Sequence, residues 1–140
     1  MSGHSGEAWV VDASVAVKWF LPADHEPEAD LARGIMGSLP LCTTTLAYYE
    51  AGNALTKRGR MKPQQVRECL ETIASTCGPP VDMTAVDYEE AATLAGQYKI
   101  TFYDASYVAI ANRLNRTVVS ADRDLLDPGL AVDLAGIAAP

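Results

Sequence analysis

The sequence predicts an α/β fold with a mainly parallel sheet, and three observations point to it. Residues 9–11 form an apolar run with no polar alternation, as expected of a strand buried on both faces. Stretches with apolar residues three and four apart separate the strand candidates and read as helices. Asp12 and Asp122 each stand between the end of a strand and the start of a helix, which is where open α/β sheets gather their sites.

Taken in order, residues 12–20 follow the first strand as a short helix. It stops before Pro22, because the residue ahead of a proline is pushed out of helical space. Residues 24–37 begin acidic, which suits the positive end of a helix dipole, and place Leu31, Ile35 and Met36 in a helical rhythm. Asp24, Glu26, Glu28 and Asp30 are expected on a solvated face of that helix. A second strand is expected at 39–43. Residues 44–58 form a helix, with a threonine cap at 43–45 and a stop at Gly59. After a turn at 59–63, Pro63 suits a first helical position, and Val66, Cys69, Leu70 and Ile73 make a core stripe ending before Gly78. A third strand is expected at 80–84. A helix follows at 87–99, packing through Ala91, Ala92, Leu94, Ala95 and Tyr98. The helix opened by Thr101 runs to Arg113. Residues 116–120 are a β-branched strand, a short helix follows Asp122, and 129–133 form a last short strand. The domain is expected at 8–133, between a flexible tail at 1–7 and a C-terminal tail at 134–140.

Composition narrows the function. With 140 residues, 49% hydrophobic and 21% charged, the chain suits one globular domain with a sizeable core. No apolar run approaches the roughly 20 residues of a membrane span. The first seven residues have no apolar core of the kind a secretory signal needs, so the cytoplasm is the expected compartment. Three cysteines, Cys42, Cys69 and Cys77, lack paired spacing and are expected as mostly buried thiols. His4 and His25 stand beside no evident nucleophile. The net charge of −7 is a poor overall field for non-specific nucleic-acid binding, but it suits acids that hold divalent cations or a basic protein partner. Arg58, Arg60, Lys62 and Arg67 form the most basic corner, either a solvated hairpin or a phosphate-contacting edge.

Four acids stand out. Capping accounts for Asp12 and Asp122 taken singly, and Thr101 with Asp104 fits a capping box. Yet Asp104 also heads the stripe Asp104, Val108, Ala111, and an unpaired carboxylate on a core-facing row is costly. Glu50 is in mid-helix, where capping cannot explain it. It is either on a solvated face or an inward carboxylate steadied by Asn53. If the four converge at one sheet edge, they repel one another unless cations lie between them. An all-oxygen set selects Mg²⁺ or Mn²⁺ over zinc, and such ions activate water for phosphoryl displacement.

The run Val10, Val11, Asp12, Ala13, Ser14 resembles the first acidic motif of PIN domains. Tyr49, Glu50 and Asn53 resemble the second, Tyr103, Asp104 and Ala105 the third, and Ser120 with Asp122 the fourth. Length and order resemble the VapC-type toxin of a toxin–antitoxin pair, over about residues 8–133. The resemblance implies a three-layer sandwich with a central parallel sheet flanked by helices, and Mg²⁺- or Mn²⁺-dependent cleavage of RNA. It implies Asp12, Glu50, Asp104 and Asp122 as the catalytic, metal-binding acids, with Ser14, Asn53 and Ser120 supporting. Ser120 stands where the family more often has threonine, which keeps the hydroxyl. Asp124 is expected either near the metal or as helix-start charge. The implied partners are an RNA substrate, a cognate antitoxin that masks the site, and a second copy of the chain. Two alternatives remain: a phospho-acceptor receiver domain, or a non-catalytic protein-binding module of the same fold. A receiver more usually has adjacent acids after its first strand and a late lysine; here Val11 precedes Asp12 and no lysine follows Lys99.

Overall fold

The computed structural model describes residues 8–138, so the tail expected at 1–7 lies outside the described residues. Strands β1 (Trp9–Val11), β2 (Leu41–Cys42), β3 (Val118–Ser120) and β4 (Val132–Asp133) form one sheet in the order β2-β1-β3-β4. All three pairings are parallel, with Val10 opposite both Cys42 and Val118 and Val11 opposite Val119. Alternate residues point to opposite faces of a strand. Accordingly Val11 and Val119 join a core with Val15, Trp19, Leu55 and Ile73. Val10 and Val118 join a second core with Ala47, Tyr107, Val108 and Leu125. Helices cover both faces, giving the expected three layers.

Helix α1 (Ala13–Ala16) starts at Asp12 and tightens into a 3-10 turn at Val17–Trp19. Helices α3 (Thr45–Lys57) and α4 (Pro63–Cys77) follow β2, with Thr44 as the cap of α3. Helices α5 (Ala85–Tyr98) and α6 (Phe102–Arg113) pack closely through Ala91, Ala105 and Ala109. Short α7 (Arg123–Leu126) follows β3. Thr84 and Asp87 cap α5 reciprocally, and wholly buried Asp87 pairs with Arg113 of α6 at 2.8 Å. Ala92 and Tyr98, expected on the packing side of α5, are exposed.

The chain departs from the sequence expectations elsewhere as well. The strand expected at 80–84 is a single parallel bridge between Thr44 and Val81. Pro79 and Pro80 have no N–H with which to extend a ladder. The helix expected at 24–37 is α2, only Ala29–Met36. Pro27 disfavours helical backbone at Glu26, and Glu28 enters α2 at φ 63°. Glu26, expected on a solvated face, is buried between Lys18 at 3.5 Å and Arg58 at 3.1 Å. Residues 134–138, expected as tail, form helix α8 (Leu134–Ala138). Leu134 is wholly buried in the core that holds Ile35.

Candidate metal centre

From β1 the sheet grows to one side with β2 and to the other with β3, so the strand order reverses between β1 and β3. Such a reversal leaves a crevice beyond the carboxyl ends of the two strands. Asp12 follows β1 and Asp122 follows β3, so both flank that crevice. Glu50 reaches it from the middle of α3 and Asp104 from the first turn of α6. Asp12, Ser14, Glu50, Asp104, Tyr107 and Asp122 line one cavity there, of about 340 Å³. The structure therefore brings together the four acids singled out in the sequence.

Each acid is held differently. Asp12, 3% exposed, accepts from Ser14 Oγ at 2.5 Å on Oδ1 and from Ser120 Oγ at 2.5 Å on Oδ2. Its Oδ1 also caps α1 through the Val15 N–H at 3.2 Å, so capping and inward placement coexist. Ser14 Oγ accepts from the Ala121 N–H and Ser120 Oγ from the Asp122 N–H, each at 2.9 Å. The two serines thereby tie the loop after β3 to the loop after β1. Asp122 caps α7 through the Asp124 N–H at 2.9 Å. Thr101 Oγ1 caps α6 by accepting from the Asp104 N–H at 3.0 Å.

Glu50 corrects one expectation. Its Oε1 accepts from Tyr107 Oη at 2.6 Å, while Asn53 is exposed and lines a shallower depression with Glu50, Tyr49 and Tyr103. Tyr107 was missed from the sequence. Its signal was position: it lies three residues after Asp104 on one helix face, and a buried tyrosine hydroxyl needs a partner. Asp124 joins Asp104 and Asp122, with one carboxylate oxygen from each lying within 4.8 Å of the others.

The electrostatics match an acid cluster without enough positive charge. Burial pushes the Asp12 carboxyl from 3.8 up to about 6, and the Asp122 charge adds to this. The Ser120 and Ser14 hydroxyls and the Val15 N–H act the other way. Asp104 is also raised to about 6, by burial and then by the charges of Asp122 and Glu50. Burial, reinforced by Glu50, pushes the Tyr107 phenol up, so it stays a neutral donor. Among the described residues, Arg58 is the one cation lining the cavity.

Comparison with known proteins agrees with this architecture. Residues 9–129 match the PIN domain family. Ribonuclease VapC3 of Pyrobaculum aerophilum is 30% identical over 122 residues, covering 84% of this chain and 92% of that protein. Exonuclease VapC9 of the same organism is 33% identical over 88 residues, 58% of this chain and 61% of that protein. A crystal structure of a Pyrobaculum aerophilum protein superposes with a TM-score of 0.66 at 27% identity, over 94% of this chain and 93% of that one. A toxin–antitoxin complex from Klebsiella pneumoniae matches with a TM-score of 0.67 over 91% of this chain and 98% of that one; at 16% identity, that likeness bears on fold alone. With the matched segment spanning every strand but the last and all four acids, the chain belongs to the PIN domain family and is not a phospho-acceptor receiver.

Proposed function

We propose that this chain is a Mg²⁺- or Mn²⁺-dependent endoribonuclease and the toxin of a type II toxin–antitoxin pair. The observation that carries this reading is the convergence of Asp12, Glu50, Asp104 and Asp122 on one cavity at the switch point of the sheet. Membership of the PIN domain family and a relative named as a ribonuclease support it. The donors fit a hard divalent cation: they are all oxygens, and burial together with neighbouring charge raises two of them. Asp12, Glu50, Asp104 and Asp122 would hold the ion, with Asp124 beside them. When bound, such an ion supplies Lewis acidity to the attacking water and to the phosphate being cut.

The chain's own residues do the positioning. Ser14 and Ser120 fix both oxygens of Asp12, so the carboxylate cannot rotate away from the cavity. Tyr107 holds Glu50 through a hydrogen bond to an ionised partner, the stronger kind. Thr101 anchors the first turn of α6 and so fixes where Asp104 emerges.

The test is cleavage of a broad RNA panel with Mg²⁺, with Mn²⁺ and with EDTA. Asp12→Ala and Asp104→Ala are each expected to lower the rate by about a hundredfold or more while circular dichroism remains that of the wild type. Intact RNA throughout, together with no cation binding by calorimetry, would favour a protein-binding module of the same fold. The same reading supplies the partners: an antitoxin that masks the cavity, and a second copy of the chain, in the cytoplasm. Among the described residues, no helix is long and apolar enough to cross a membrane. The exposed aromatics Tyr49, Tyr88, Phe102 and Tyr103, which line a groove beside the acids, support the reading that a second copy docks there.

A further inference from the structure

Arg58 is a cation in a place that would otherwise repel a polyanion. Helix α3 and its last turn present Glu50, Ala54 and Arg58 to the acid cavity at intervals of four, so one helix face delivers both the carboxylate and the guanidinium. Arg58 Nη2 donates to Glu26 Oε1 at 3.1 Å. Glu26 is 7% exposed and already has a cation of its own: Lys18, equally buried, lies 3.5 Å from the same oxygen and donates to the Pro27 carbonyl at 2.6 Å. The buried pair is therefore neutral without Arg58, whose side chain is 58% exposed. Arg58 also lines a second cavity, of about 580 Å³, with His25, Arg60 and Gln65. It thus stands on the wall shared by the acid site and the basic corner of the chain.

We propose that Arg58 binds a phosphate of the RNA strand adjacent to the one that is cut, and that buried Glu26 is a positioning residue that aims it. The strand then passes from the acid cavity over Arg58 toward Arg60. A guanidinium fork held by one nitrogen keeps further N–H donors for a phosphate, and its charge offsets the repulsion of the acids for RNA. This proposal rests on the ribonuclease reading.

The experiment is fluorescence anisotropy of a short labelled single-stranded RNA on the full chain in Ca²⁺, over a salt series. Arg58→Gln is expected to weaken binding about tenfold and to flatten the log Kd against log salt slope by about 0.7, one phosphate contact on a single strand. Glu26→Gln, which keeps the Arg58 charge, is expected to weaken binding less and leave the slope unchanged. Mn²⁺ binding by calorimetry is expected to be undiminished in Arg58→Gln, which separates RNA contact from damage to the acid site. If wild-type protein binds RNA and Arg58→Gln matches it in affinity and slope, the proposal is wrong while the ribonuclease reading stands. Wild-type protein that neither binds nor cuts RNA overturns both. Should Arg58→Gln fail to fold, Arg58→Lys decides: an unchanged slope with weaker binding is expected, and full wild-type affinity would overturn the role of the fork.

Discussion

At Asp12 a single buried carboxylate caps a helix, receives two serine hydroxyls and faces three other acids. Its proton is held up to about 6 in the fold, against 3.8 as its ordinary value. Between these values the folded chain binds more protons than the unfolded one, so stability falls as pH rises through that window. Two units correspond to about 3 kcal/mol from Asp12 alone, and Asp104 acts in the same direction. Asp87 acts oppositely: burial raises it, but the Thr84 N–H and Arg113 outweigh burial and hold it below 3.8. Its contribution is present above 3.8 and is lost only at lower pH, outside the window set by Asp12. Melting in EDTA is therefore expected to show a falling Tm between about pH 4 and 7, and Asp12→Asn should flatten that fall and raise Tm at neutral pH. Added Mg²⁺ should restore the wild-type Tm at neutral pH by binding only the folded form. A Tm in EDTA that is flat across this range in wild-type protein would refute the assignment of strain to these acids.

At the scale of elements, α3 connects the two charged halves of the site. Its buried stripe of Ala47, Ala51 and Leu55 faces the core, which turns Glu50, Ala54 and Arg58 toward the cavity. The helix ends at Arg58, and Gly59 follows it in a tight turn. A Cβ at Gly59 would lie 2.7 Å from the Leu55 carbonyl oxygen and 3.2 Å from Leu21 Cδ2. The first contact is with backbone and cannot be relieved by turning a side chain. Gly59→Ala is thus expected to destabilise the chain by about 1–3 kcal/mol, read as a lower urea midpoint. A change below about 0.5 kcal/mol would mean that the turn tolerates a side chain.

Across the whole molecule, charge and apolar surface are unevenly placed. The net charge is −7, yet Asp12, Glu50, Asp104 and Asp122 converge where the strand order reverses, and Arg58 stands at their edge. Beside them Tyr49 is 71% exposed and Tyr103 61%, large apolar area left on the surface. Exposed aromatic clusters of this kind mark contact surfaces. Sedimentation at micromolar concentration is expected to show a dimer, and Tyr49→Ser with Tyr103→Ser is expected to shift it to monomer. A wild-type chain that sediments as a monomer at about 100 µM would exclude this face as a self-association surface.

The sequence by itself determined the α/β class, a strand at residues 9–11 and one within 116–120, a threonine cap within 43–45 and the cap at Thr101, and it singled out the four acids. These are local matters: apolar periodicity, cap chemistry and the break at a proline are legible within a few residues. Glu50 was legible only in part: a mid-helix acid has no cap to serve, which left a solvated face or an inward carboxylate. What the tertiary structure decided concerns pairs far apart in the chain. Tyr107 rather than Asn53 holds Glu50, Glu26 is buried between Lys18 and Arg58, and residues 134–138 fold back onto the core as a helix. Each depends on which groups lose water together, and desolvation is a property of the packed molecule, which no window along the chain contains.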